Sequence, residues 1–158
     1  MEENTQFEKN NDLEHVHYAG FWIRVLANTI DSFIIFIPMF LVNLLVGLST
    51  IPFADNSNPD SMSMSYLLIT IILDYAIYIL YYGFMTSSSN QGTLGKMAVG
   101  IKVTDVNGNK LTLGHSIGRF FAFLLSSMTF YIGFIMVGLT DKKKGLHDYM
   151  ANTYVVYK

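Results

Sequence analysis

Residues 21–48 read FWIRVLANTIDSFIIFIPMFLVNLLVGL, an apolar run whose charged members are Arg24 and Asp31 alone. About 20 apolar residues cross the hydrocarbon core of a bilayer, so this run spans with length to spare. A second run, 66–85, is interrupted by the single charge of Asp74. Between the two, residues 49–65 hold Pro52, Pro59 and several Asn, Asp and Ser, the composition of a loop. Charged residues make up 14% of the 158-residue chain, against about 25% in soluble domains. Most of them lie in the first fifteen residues, in 96–119 and in the last eighteen. A deficit confined to long runs is the mark of membrane spans rather than of a large soluble core.

The remaining bulk properties narrow the class. A net charge of −2 gives no reason to expect nucleic acid as a partner. The chain has no cysteine, which removes disulfide scaffolds and thiolate metal sites. Ten Tyr and twelve Phe fit a protein with two membrane interfaces, where aromatic rings collect. The opening MEENTQFEKNNDLEHVHY is polar and acidic, unlike a signal peptide, and residues 1–17 are expected to form a disordered cytoplasmic tail.

After a polar loop over 86–92 the pattern changes. Ile101 and Val103 alternate with Lys102 and Thr104, and Lys110-Leu111-Thr112-Leu113 alternates again, with Asn107-Gly108 between them. Asn-Gly between alternating runs predicts a two-stranded hairpin over 101–113, with positive φ at Gly108 and Asn107. Tyr154–Tyr157 reads as a further terminal strand.

Orientation follows from Lys and Arg. The 49–65 loop has none, whereas 86–119 has Lys96, Lys102, Lys110 and Arg119. The positive-inside rule places the second loop and the N-terminus in the cytoplasm. A third apolar segment, 115–139, then carries Arg119 near its start and Lys142-Lys143-Lys144 after its end. A single crossing would put three lysines outside. Two half-length helices broken near Ser126–Thr129 keep both ends inside, each with the length of a re-entrant segment. The expected fold is therefore an all-α membrane protein. It has two full transmembrane helices, a small cytoplasmic β-hairpin, a re-entrant or interfacial helix pair over 115–139 and a cytoplasmic C-terminal segment over 141–158. Gly114, Gly118, Ala122 and Ser126 recur every fourth residue and predict close helix packing.

The residues that could carry chemistry are the charges inside the spans. Arg24 and Asp31 are two turns apart on one helix face, about 10 Å along the axis, with Asn28 between them. Asp74, in an antiparallel span, falls at a depth similar to that of Asp31, roughly 15 Å in. Two carboxylates that face each other would share a proton, bind a cation or recruit Arg119. Asp31, Asp74 and Asn28 are thus candidates for an ion or proton site, with Arg24 and Arg119 as charge partners. Other matches fail. Gly92-Thr93-Leu94-Gly95-Lys96 has the wrong glycine spacing for a phosphate loop, and Met97 stands where Ser or Thr should be. His147-Asp148 has no second His at ligand spacing. No catalytic residue, metal or cofactor is expected.

These segments, taken together, resemble the RDD family of small bacterial membrane proteins. The resemblance rests on Ala19–Arg24 and Asn28–Asp31, on Gln91–Lys96 with Gly100–Val103, on Asp105–Gly108, on Gly145–Asp148 and on Ala151–Thr153. It covers the chain from about residue 18 to its end. The family is named for one Arg and two Asp, which by position correspond to Arg24, Asp31 and Asp148. Gly92, Thr93, Gly95, Lys96 and His147 fall in its motifs, and Asp74 does not. The resemblance implies a multi-pass protein of the cell membrane, and it brings in sodium–proton exchange, proposed for some members. Two functional expectations follow. The first is a transporter or exchanger of small cations, which with only two full spans needs an oligomer, a dimer being the simplest. The alternative is a membrane-anchored adaptor or accessory subunit without transport.

Overall fold

In the computed structural model, residues 17–50, 59–128 and 132–158 are described. Most of the expected N-terminal tail, positions 51–58 of the expected loop and positions 129–131 at the expected break lie outside them.

Two long helices dominate: α1, Phe21–Thr50, and α2, Pro59–Ser87. They contain the two apolar runs, and α2 begins earlier than the 66–85 reading, absorbing part of the expected loop. Both are long and apolar enough to cross a membrane, with only 6% and 11% of their apolar windows buried within the protein. A core helix of a soluble protein would have most of that surface covered. Here Trp22, Phe33, Ile37, Leu45 and Ile72 project outward, an apolar surface suited to lipid and costly in water.

The rest of the chain builds a cap at the end of the bundle where α1 starts and α2 ends. Short α3, Leu94–Ala98, leads into strand β1, Ile101–Asp105. Helices α4, Leu113–Met128, and α5, Ile132–Leu139, carry the third apolar segment. Short α6, Leu146–Met150, and strand β2, Thr153–Tyr157, complete the chain. The third apolar segment carries two helices, but Ser126–Met128, expected at the break, lie inside α4, and the rest of the expected break falls outside the described residues. The segment's two flanks come back to one place, because Arg119 in α4 and Arg24 in α1 meet the same residue of α6, and Arg24 also bonds the Lys143 carbonyl.

The hairpin expected over 101–113 does not form. β1 pairs antiparallel with β2, in the register Val103↔Val155 and Asp105↔Thr153. The Asn107-Gly108 turn exists, with φ +83° at Gly108, while Asn107 keeps a negative φ. Asp105 Oδ1 accepts the Asn107 and Asn109 amides and tightens the turn. Beyond it, the segment read as a returning strand is a helix start. Thr112 Oγ1 accepts the His115 amide, the bond of an N-cap. Leu111 is buried in the cap core with Ala19, Ala27, Ile101, Val103 and Val155. The β-branched segment 153–157 takes the place beside β1, and the chain at 17–19 lines its other edge through Ala19 N–Val155 O and Tyr157 N–His17 O bonds. The small-residue stripe of α4 does not act as a close-packing face at its start, since a side chain at Gly114 or Gly118 would meet open space.

Candidate functional site

Two buried acids tie the cap to the long helices. The first is Asp31, fully buried in α1. Its Oδ1 accepts the Tyr81 hydroxyl at 2.6 Å and the Gly95 amide at 2.7 Å, and its Oδ2 accepts the Thr93 hydroxyl at 2.5 Å. Tyr81 in turn accepts the Leu94 amide. An acid that would be costly alone in an apolar helix is thus held by three donors. The approach is close enough to need glycine at position 95. A Cβ there would stand 2.1 Å from the Ala27 carbonyl oxygen and 2.7 Å from Asp31 Cγ.

The second is Asp148, fully buried at the third position of α6. Arg119 bonds its Oδ1 at 2.5 Å, and Arg24 bonds its Oδ2. The Gly145 amide at 3.1 Å and the Thr153 hydroxyl at 3.4 Å complete its partners. Arg24 also donates to the Ala19 and Lys143 carbonyls, and Arg119 to Thr153 Oγ1. One carboxylate therefore joins α1, α4, α6 and β2. Burial by itself raises the Asp148 carboxyl, but Arg119 and Arg24 outweigh it and hold the group well below the usual carboxylate range. Burial pushes the neighbouring His147 down to about 3, so its ring is neutral at pH 7 and its 3.5 Å approach to Asp148 is no ion pair.

Between these two clamps lies a cavity of about 50 Å³, whose lining includes Arg24, Asn28, Lys96, Ser116, Arg119 and His147. Lys96 is 7% exposed. Burial first, then Arg119, pushes its ammonium down to about 7.

Measured against the sequence expectations, Arg24 and Asp31 do share a face, yet they serve different clamps. Asp31 and Asp74 are not brought together. Asp74 accepts Asn43 Nδ2 at 3.0 and 3.2 Å, a partner in α1 twelve residues beyond Asp31. At 1.5 Å per residue, the two carboxylates sit about 10–18 Å apart along the bundle. Equal depth was expected from counting residues inward from each span's end. The registration of α1 on α2 instead sets Asp31 beside Tyr81, seven residues past Asp74. Arg119 pairs with Asp148, which spacing within one element could not reveal. Nothing in the local spacing of Tyr81, Asn43 and Ser116 marks them, and Thr153 enters only through the motif Ala151–Thr153. Lys144 is buried, with its ammonium 4.0 Å from the Tyr154 ring centroid, so the three-lysine run is partly a packing element.

The RDD family model matches residues 18–152. Three proteins of Bacillus subtilis (strain 168) are similar along most of their length. "Uncharacterized protein YxaI" is 42% identical over 89% of this chain and 97% of its own. "Uncharacterized membrane protein YteJ" is 33% identical over 89% and 82%. "Uncharacterized protein YckC" is 28% identical over 88% and 84%. No solved structure matches the chain. The family match and the two lipid-suited helices together mark a membrane protein.

Proposed function

We propose a function from one premise: the chain belongs to the RDD family. It acts as a membrane-anchored accessory or adaptor protein without catalytic or transport activity, and its cap is the working surface. The observation that carries this reading is the separation of Asp31 and Asp74, each held by its own partners. Cation–proton exchange requires a carboxylate that can exchange a proton for an ion. Asp31 has both oxygens occupied by protein donors, and Asp74 is tied to an amide of the neighbouring helix. The dimer that a transport pathway would need loses its main motive with that pathway.

In this reading the protein is multi-pass, with its N-terminus and cap in the cytoplasm. The lysines and arginines of the cap and the lysine-free 49–65 loop support that orientation. Helices α4 and α5 enter the bilayer and return, which places Lys142–Lys144 on the same side as Arg119. Exposed Val106, Tyr149, Met150 and Tyr157 give the cap apolar and aromatic contact points.

A photo-crosslinking residue placed at Val106 or Met150 in native membranes should yield discrete adducts with another protein. The same residue at Leu45, on the lipid-suited face of α1, should yield lipid adducts only. Cap positions that label no protein, in cells where the chain is folded and abundant, would remove the adaptor reading.

A further inference from the structure

We infer that the cavity between the two clamps binds a small anion, with Lys96 and Ser116 as its principal ligands and chloride as the occupant. Three cationic side chains, Arg24, Lys96 and Arg119, line it. Asp148, the acid paired with the two arginines, is divided between their guanidiniums. The next acid, Asp31, has both oxygens taken by Tyr81, Thr93 and Gly95. Lys96 is left with no hydrogen bond or ion pair among the described residues, although it is buried. Asp31 and Asp148 favour the charged form from a distance, but burial and the two guanidiniums oppose it, and an anion beside the ammonium would offset part of that cost.

A second observation points to the same place. Ser116 is 3% exposed and lines the cavity, and its hydroxyl has no hydrogen-bond partner among the described residues. Buried hydroxyls are nearly always bonded, so an orphan in the wall of a cavity lined by basic residues is a donor open to an acceptor. The Asn28 amide, on the α1 wall, can supply a further donor. Size sets the occupant. A volume of about 50 Å³ has room for one or two water-sized groups, at roughly 30 Å³ each. That suits a halide better than a phospholipid headgroup. Tyr82, Phe120, Phe123 and Val155 form an apolar part of the wall. The anion would lie between the helices and the cap, so its binding would add to both clamps. This inference does not depend on the adaptor reading.

The test uses the purified full chain in a neutral detergent, with thermal unfolding followed in sodium chloride against sodium gluconate at equal ionic strength. Chloride should raise the midpoint saturably, by roughly 5 °C or more at about a hundred times its dissociation constant. The Ser116→Ala variant should need several-fold more chloride for the same rise, and Lys96→Gln should lose the response. In bromide-soaked crystals an anomalous peak should lie within reach of Lys96 Nζ and Ser116 Oγ. Equal midpoints in chloride and gluconate would overturn the inference. So would a chloride response that both variants keep, which would place the anion elsewhere. A response to inorganic phosphate or to phosphatidylglycerol in place of chloride would overturn it as well.

Discussion

Gly95→Ala should leave little folded protein, although it adds a single methyl group. The added Cβ would stand 2.1 Å from a backbone carbonyl oxygen and 2.8 Å from Asp31 Oδ1. The first is backbone and has no rotamer to change, and the Asp31 carboxylate is pinned by Tyr81 and Thr93, so the strain is not relieved locally. Helix α3 must withdraw from α1, and withdrawal takes the Gly95 amide and the Thr93 hydroxyl away from Asp31. A carboxylate stripped of its donors inside an apolar helix adds its own cost to the steric one. The sum should exceed about 4 kcal/mol, in the range reserved for severe single substitutions. Gly118→Ala is the matched control. Its Cβ meets open space on α4, and alanine is the better helix former by about 1 kcal/mol, so it should be neutral or mildly stabilising. Thermal unfolding of both variants in detergent checks the pair. A Gly95→Ala midpoint within a few degrees of wild type would mean that α3 does not lie against α1 as described.

Asp148→Asn should come next in size. The substitution keeps the shape but leaves the guanidiniums of Arg24 and Arg119, about 11% and 10% exposed, facing each other without an anion. Removing one partner from a buried charge cluster typically costs about 3–5 kcal/mol. Arg24→Met should cost less, because Arg119 still neutralises the acid and no like-charge pair remains. The pH dependence has a definite sign. The folded carboxyl is held below its unfolded value of about 3.9, so its contribution is present above that pH and is lost as the pH falls further. The gap between wild type and Asp148→Asn should therefore be constant near neutrality and should narrow below about pH 4. A gap under about 1 kcal/mol at pH 7, or one that widens in acid, would contradict the clamp.

Much of the architecture is readable from residues alone, and the reason is local. The long apolar helices α1 and α2 announce themselves because about 20 apolar residues in a row have few other uses. Ser126–Met128, read as a break in the third segment, continue α4 instead, because serine hydroxyls can bond back to the helix's own carbonyls, as Ser127 does to Leu124. The hairpin is misread for an equally physical reason. Asn107-Gly108 specifies a turn, and the turn forms, but a turn does not choose the strand's partner. Leu111 is drawn into the core and Thr112 caps a helix, while Thr153–Tyr157, almost fifty residues away, supplies the pairing edge. The site shows the same division. Arg24, Asp31 and Asp148 stand out by type and position, yet their pairing is set by tertiary contacts. Asp148 joins residues 124 positions apart in the chain, and no periodicity encodes that. The depth of Asp74 was misjudged because helix registration depends on side chains such as Asn43 and Tyr81 finding each other's acids.

The central claim is that the two membrane acids belong to separate structural units and form no ion pathway. Cation-driven proton movement in proteoliposomes tests it most directly. Vesicles with the purified chain, loaded with a pH-sensitive dye, are given an inward sodium or potassium gradient and compared with protein-free vesicles and with folded Asp74→Asn protein. The expected result is proton movement at the protein-free rate in all three. Sodium- or potassium-driven proton flux by the wild type that Asp74→Asn abolishes while remaining folded would contradict the account and restore the exchanger.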